Sequence, residues 1–259
     1  MKIRRFTPDG PVKHDSELPL VFIHINKTAG TTFSHMLFDL FSPEQIAPAY
    51  RGDFSALDVG RPQHRLYHGH MRYADWYHNG VPALPICMLR DPEARVVSQY
   101  KSFKNAANAK DAQRWLNGAR GAKALEIARS STFDEFLLSD FPPIRGHIDN
   151  IQVQFLSEGG AARNEDDVQT ALRNITDALF FFGITDRYDD AMNLLSWQLA
   201  DRVLPSSPSR NISKPETIEA VSPEAKAALE RYTKWDKLLY TKANALFEER
   251  LRQVADGIV

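Results

Sequence analysis

An apolar, largely β-branched run, Leu20-Val21-Phe22-Ile23-His24-Ile25, ends abruptly in the polar stretch Asn26-Lys27-Thr28-Ala29-Gly30-Thr31-Thr32. Phe33, Met36, Leu37, Leu40 and Phe41 then recur at helical spacing as far as Pro43. A short continuous apolar run suits a strand buried on both faces, and such strands belong to parallel sheets covered by helices. Strand, short glycine-containing loop and helix, in that order, point to an open parallel α/β sheet.

The pattern recurs along the chain. Arg65-Leu66-Tyr67 reads as a second strand leading into His68-Gly69-His70, and Leu84 to Leu89 as a third. Asp91-Pro92 then suits a helix start, with aspartate as cap and proline at the first helical position. Residues 104–130 lack a sustained apolar stripe and read as a mobile helical excursion, either a lid or a solvated surface helix. From 133 the chain reads as mainly helical, interrupted by a strand over 178–184 and followed by a helix around 191–199. Pro205 to Pro215 is too punctuated for a regular element, and Pro223 opens a closing helix. The expected fold is therefore one P-loop-like α/β domain over residues 18–259, a parallel sheet of four or five strands with helices on both faces. Residues 1–17, with Pro8, Gly10 and Pro11, read as an N-terminal tail or a strap across the surface.

Bulk properties narrow the partners. The 259 residues suffice for one large domain. With 32 basic against 33 acidic residues, no overall field attracts nucleic acid, so any anion site must be local. The single cysteine, Cys87, excludes an intrachain disulfide and any cysteine-based metal cluster. The basic N-terminus is followed by no apolar segment of a signal peptide, and no apolar run approaches the ~18 residues of a membrane span. The expected location is cytoplasmic; no feature of the sequence sets the oligomeric state.

Two constellations carry chemistry. Lys27, Thr28, Ala29, Gly30, Thr31 and Thr32 place backbone N–H groups, a helix N-terminus and a cation at one spot, which suits a phosphate. Lys27-Thr28 matches the end of the Walker pattern Gly-x-x-x-x-Gly-Lys-Ser/Thr, but Asn26 and Val21 stand where its glycines belong. The turn must therefore be shorter than a nucleotide-triphosphate loop. In the second constellation, Arg90 lies at the carboxyl end of a strand, where open α/β sheets hold ligands, and Ser98 lies on the following helix. Together they suit a second phosphate; an aspartate cap with Arg95 paired to a carboxylate is the structural alternative.

Both segments resemble the sulfotransferases that use 3′-phosphoadenosine 5′-phosphosulfate (PAPS), most closely the branch with the heparan sulfate 2-O-sulfotransferases and related carbohydrate sulfotransferases. Lys27-Thr28-Ala29-Gly30-Thr31-Thr32 is similar to that family's 5′-phosphosulfate loop without a gap. Arg90, Asp91, Pro92, Arg95, Ser98 and Tyr100 match every defined position of its 3′-phosphate motif. Phe182 to Tyr188, Asn211-Ile212-Ser213 and Asp236 to Tyr240 are more weakly similar, so the resemblance spans about residues 18–250. It implies PAPS as co-substrate, a hydroxyl-bearing acceptor of unread identity, and in-line transfer without a metal.

His68-Gly69-His70 is similar to a His-Gly-His segment of the 2-O-sulfotransferase-like enzymes. The resemblance implies His70 as the base and His68 as a group that orients substrate or shares the role, a task imidazole suits at neutral pH. Two structurally bonded histidines are the plain alternative; no cysteine, histidine and carboxylate pattern completes a metal site. Lys27 would meet the charge building on the leaving phosphate. His24 reads as a satisfied core residue, and Tyr73, Trp76 and Tyr77 as core packing or as a surface for an acceptor. Gln152 and Gln154 are similar to a family segment near both substrates, without an assignable contact. Ser209, Arg210, Asn211 and Ser213 read either as a loop closing over the nucleotide or as plain polar surface. A kinase of P-loop layout and a non-catalytic PAP-binding regulator are the alternative functions.

Overall fold

The computed structural model describes residues 1–7, 12–50, 52–54, 57, 59–106, 119–200, 204 and 221–256. Residues 107–118 of the expected excursion, and the whole punctuated stretch from 205 to 215 with Ser209, Arg210, Asn211 and Ser213, lie outside this set.

Strands β3 (Leu20–Ile23), β4 (Leu66–Gly69), β5 (Leu84–Leu89) and β6 (Phe181–Ile184) form a parallel sheet in the order β4-β3-β5-β6. Every residue of β3, β5 and β6 is buried, which is why these strands read as unbroken apolar runs. The two faces are covered by different helices. Leu20 and Phe22 pack with Phe33, Met36 and Leu37 of α1 (Gly30–Phe38). Val21 and Tyr67 turn the other way, towards Ala47, Met71 and Trp76 of α2 (Tyr73–His78). The alternation follows from the two-residue period of a strand.

Helix α3 (Pro92–Lys104) follows β5, and Asp91 caps it by accepting the Ala94 N–H at 2.8 Å, with Pro92 in the first turn. Next come α4 (Ala119–Ser130), α5 (Phe133–Leu138), α6 (Pro142–Ile148), α7 (Ile151–Leu156) and α8 (Glu165–Arg173). After β6, α9 (Tyr188–Gln198) packs back along the sheet, and α10 (Pro223–Ala255) closes the chain. The described part of the expected excursion is packed: Ala124, Leu125 and Ala128 of α4 are buried with Val97, Phe136 and Ile144. Its inner face is mostly alanine, and small side chains leave little apolar pattern to read. Helix α10 joins this second cluster, through Ala225 and Leu229, to the main core, through Leu239, Ala243 and Phe247.

Near the amino terminus, β1 (Lys2–Arg5) and β2 (Val12–Asp15) pair antiparallel as a separate two-stranded sheet. Ile3 is fully buried in the main core. Arg4 donates to the Trp197 carbonyl at 2.6 Å and lies over that indole, and Phe6 packs on the same ring. No described helix is long and apolar enough to cross a membrane.

Candidate active site

The sheet order sets the site. At the carboxyl ends of three neighbouring strands stand His70 after β4, the Lys27–Thr32 loop after β3, and Arg90 after β5. Parallel strands bring these loops out on one edge at about 4.8 Å intervals, so segments far apart in sequence become neighbours.

The loop after β3 is tightly wound. Lys27 and Ala29 both hold positive φ, 68° and 59°, conformations that side chains normally avoid. Thr28 is fully buried, and its hydroxyl donates to the Ile25 carbonyl at 2.9 Å, which pins the turn. Its side chain is thus committed to the fold. Helix α1 begins with no side-chain cap, so the positive end of its dipole lies at the loop. The Lys27 ammonium is held below its ordinary pKa, first by burial and then by the guanidiniums of Arg90 and Arg95. Cations crowded in this way attract an anion.

Arg90 joins the two constellations, because its guanidinium donates to the Lys27 carbonyl at 3.3 Å. The Arg90 Nε is buried and has no hydrogen-bond partner among the described residues. A buried, unpaired guanidinium N–H beside an uncapped helix start fits an anionic group. The backbone of Arg90 is clasped by Gln152, whose Oε1 accepts the Arg90 N–H and whose Nε2 donates to the Arg90 carbonyl, both at 2.9 Å. Asp236 on α10 takes the N–H groups of Gln152 and Val153, at 3.2 and 2.9 Å, and so caps α7 from outside. Burial pushes the Asp236 carboxyl up to about 6, against the pull of Arg95 and of these two bonds. Arg95 is itself fully buried and donates to the His147 and Ile148 carbonyls, each at 3.1 Å. It is therefore a strut between α3 and α6, and Ser98 lies half-buried one turn further along α3.

Three histidines meet on the other side of the loop. The Nδ1 of His70 lies 2.7 Å from the His24 carbonyl. A carbonyl only accepts, so Nδ1 carries the hydrogen and Nε2 is the basic nitrogen of the neutral ring. Crowding lowers the His70 pKa, the bond to the His24 carbonyl raises it and His147 lowers it; the ring remains in contact with solvent, which limits the first effect. His68 packs edge-on against Phe38 of α1 at 4.9 Å, and burial lowers its pKa while a bond to the Ala47 backbone opposes this. Gly69 between them has φ +143°, and a Cβ there would lie 2.8 Å from backbone atoms of Tyr50. The segment tolerates no side chain at that point.

Sequence reasoning missed His24. It is only half-buried, stacks on Phe22 at 5.1 Å and meets the His70 ring at 4.3 Å. Burial, then His70, His68 and Lys27, push its pKa down to about 3. It stands beside His70 at the carboxyl end of the sheet, and the sequence sign was its place directly after β3, at the entry to the Lys27 loop. Asp236 had a clearer sign: it interrupts the apolar series Tyr232, Leu239, Ala243, Phe247 on the buried face of α10. Tyr73 and Trp76 are buried in packing, while Tyr77 is exposed and stacks on Tyr73 at 5.7 Å. Gln154 donates to the Asp149 carbonyl at 2.6 Å. At the end of β6, Asp186 accepts from the Asp91 N–H and the Tyr240 hydroxyl, at 3.3 and 3.0 Å, tying α10 to the turn that carries Arg90.

No family model matches the chain. Among curated proteins, the chain is 23% identical over 222 residues to heparan sulfate 2-O-sulfotransferase 1 of Cricetulus griseus, and to the proteins of the same name from Gallus gallus and Homo sapiens. These alignments take in 74% of the chain and 59% of each relative, so the chain spans about three-fifths of their length. The resemblance to the sulfotransferase family is thereby borne out: the chain is similar to proteins named heparan sulfate 2-O-sulfotransferase. The crystal structure of a mouse sulfotransferase complexed with PAP aligns over 93% of this chain and 90% of its own, at 14% identity and a TM-score of 0.44, a likeness too slight to argue from.

Proposed function

We propose that the chain is a PAPS-dependent sulfotransferase that transfers a sulfuryl group to a hydroxyl. The observation that carries this reading is the linear order of His70, the Lys27 loop and Arg90 along one sheet edge. A donor with a 5′-phosphosulfate and a 3′-phosphate needs two anion sites, with a base on the far side of the sulfuryl end. The loop Lys27, Thr28, Ala29, Gly30, Thr31 and Thr32 suits the 5′ end through backbone amides and the Lys27 ammonium. Arg90 and Ser98 suit the 3′-phosphate. Similarity to proteins named as sulfotransferases supports the same assignment.

In the reaction, the acceptor oxygen attacks sulfur and the bond from sulfur to the bridging phosphate oxygen breaks. PAP leaves, and the acceptor proton passes to Nε2 of His70. Lys27 and the uncapped start of α1 meet the negative charge on the leaving phosphate, as fixed donors do in such sites. His68, anchored on Phe38, lines the acceptor side. The acceptor is a saccharide, a glycolipid or a small metabolite, and the name of the relatives favours the saccharide.

The test is a thermal scan beside a transfer assay. PAP without divalent metal should stabilise the protein by RT ln(1 + [L]/Kd), roughly 2.7 kcal/mol at about 100 times Kd. Transfer from PAPS is offered to O-desulfated heparan sulfate and to p-nitrophenol. Strong stabilisation by ATP with Mg²⁺ but none by PAP would favour a kinase. PAP binding with no PAP released from PAPS beside either acceptor would favour a regulator.

A further inference from the structure

We propose that His24 is a positioning residue: its imidazole is the spacer that sets the distance between the His70 base and the anion loop. The inference rests on the sulfotransferase reading above. On one side, the His24 ring meets the His70 ring at 4.3 Å between centroids. On the other, it lies so close to the start of α1 that a Cβ on Gly30 would be 1.9 Å from its Nε2 and 2.1 Å from its Cδ2. Phe22 stacks on it at 5.1 Å and fixes the ring's tilt. Gly30 is thus glycine because an imidazole occupies the space of its side chain.

The same residue holds the base by its main chain, since the His24 carbonyl takes the Nδ1–H of His70 at 2.7 Å. That carbonyl survives any substitution of the side chain, so the effect of the ring can be read alone. The ring must also remain neutral. The charged or titratable groups acting on it are Lys27 on the loop and His68 and His70 at the end of β4, and burial adds to their effect. A cation there would oppose protonation of His70, the step the base has to perform. His147 of α6 also acts on His70 and lowers its pKa.

The experiment combines an NMR titration of the histidine rings, with His70 assigned from His70→Asn, and PAPS turnover with the faster of the two acceptors above. In His24→Ala, water replaces the ring, so the His70 pKa should move upward, towards the ordinary histidine value. Turnover should fall by about 10²-fold, the scale of a 1 Å misplacement, while PAP affinity from calorimetry is retained. Gly30→Ala alone should also lose turnover, because its Cβ displaces the ring. Added to His24→Ala it should cost little more, since residues sharing one space are not additive. Losses that simply add, or a His70 titration and turnover unmoved in His24→Ala, would overturn the proposal. If His24→Ala does not fold, His24→Asn and Gly30→Ala are read in the same titration, where an unmoved His70 has the same meaning. A wild type that turns over no acceptor defeats the sulfotransferase reading instead, and the His70 titration still decides the coupling.

Discussion

Lys27 and Ala29 hold left-handed backbone conformations without being glycine, each at a cost of about 1–3 kcal/mol. The buried Thr28 hydroxyl, bonded to the Ile25 carbonyl, helps to impose that winding. Such strain is tolerated where the turn presents donors to a ligand, and Lys27 is the one side chain there that adds a full charge. Lys27→Ala should therefore cut transfer by roughly 10²–10³-fold while the circular dichroism spectrum is unchanged. Wild-type turnover in this variant would remove the loop from the mechanism. His70 yields a prediction about pH. Its pKa is lowered, so the neutral, basic form persists to a pH below the ordinary histidine value of about 6.5. Activity should fall only as pH drops through that lowered value, and His70→Ala should lose about 10²–10⁴-fold at pH 7 with PAP affinity intact. An acid limb unchanged in the residual activity of His70→Ala would assign the base elsewhere.

One route from α10 through α7 to Arg90 runs through the Asp236 carboxylate. Asp236 holds the first-turn N–H groups of α7, α7 carries Gln152, and Gln152 clasps the backbone of Arg90. A helix start without a cap of its own sequence must find its acceptor elsewhere, and α7 finds it on α10. Asp236→Ala leaves two buried N–H groups unpaired and removes the carboxylate that acts on buried Arg95. The loss should reach about 2–6 kcal/mol in urea unfolding, since each buried donor left unpaired costs about 1–3 kcal/mol. PAP affinity should weaken in any fraction that remains folded, because Arg90 loses its clasp. Full stability with full PAP affinity would mean that the chain of contacts from α10 to Arg90 carries no energy.

Across the whole molecule, the end of the sheet that carries His70, Lys27 and Arg90 lies opposite the end that the amino-terminal strands support. The strap β1–β2 meets Trp197 and, through Arg5, the Ala178 carbonyl just before β6, at the amino-terminal side of the sheet. Arg250 of α10 lies between the Phe6 and Phe182 rings, at 5.0 and 4.8 Å, beneath that strap. Ile3 is the fully buried anchor of the arrangement. Ile3→Ala should cost about 2–5 kcal/mol by denaturant unfolding and leave the PAP dissociation constant as it was. A parallel loss of PAP affinity would show that the two edges are coupled.

How much of this could be read without coordinates follows from the range of each interaction. The strands with both faces buried, the loop at Lys27 and the capped start of α3 at Asp91-Pro92 are local, and periodicity and turn chemistry expose them directly. The two candidate anion constellations were legible for the same reason, since each is a strand end followed by a helix start. The alanine face of α4 was not legible, because small side chains carry little pattern. Nor was His24, whose meaning lies in three partners from separate segments: the His70 ring, the Gly30 backbone and Phe22. Asp236 stood out as a polar residue in an apolar stripe, but its partners lie more than eighty positions earlier in the chain. Local pattern was enough to read the buried strands and the residue types at their ends, because backbone conformation and burial are set by near neighbours, whereas the hairpin of β1 and β2 was read only as a tail or strap. Which ends adjoin, in the order β4-β3-β5, emerges only from the folded sheet, because strand pairing is a choice among distant segments that no local spacing encodes.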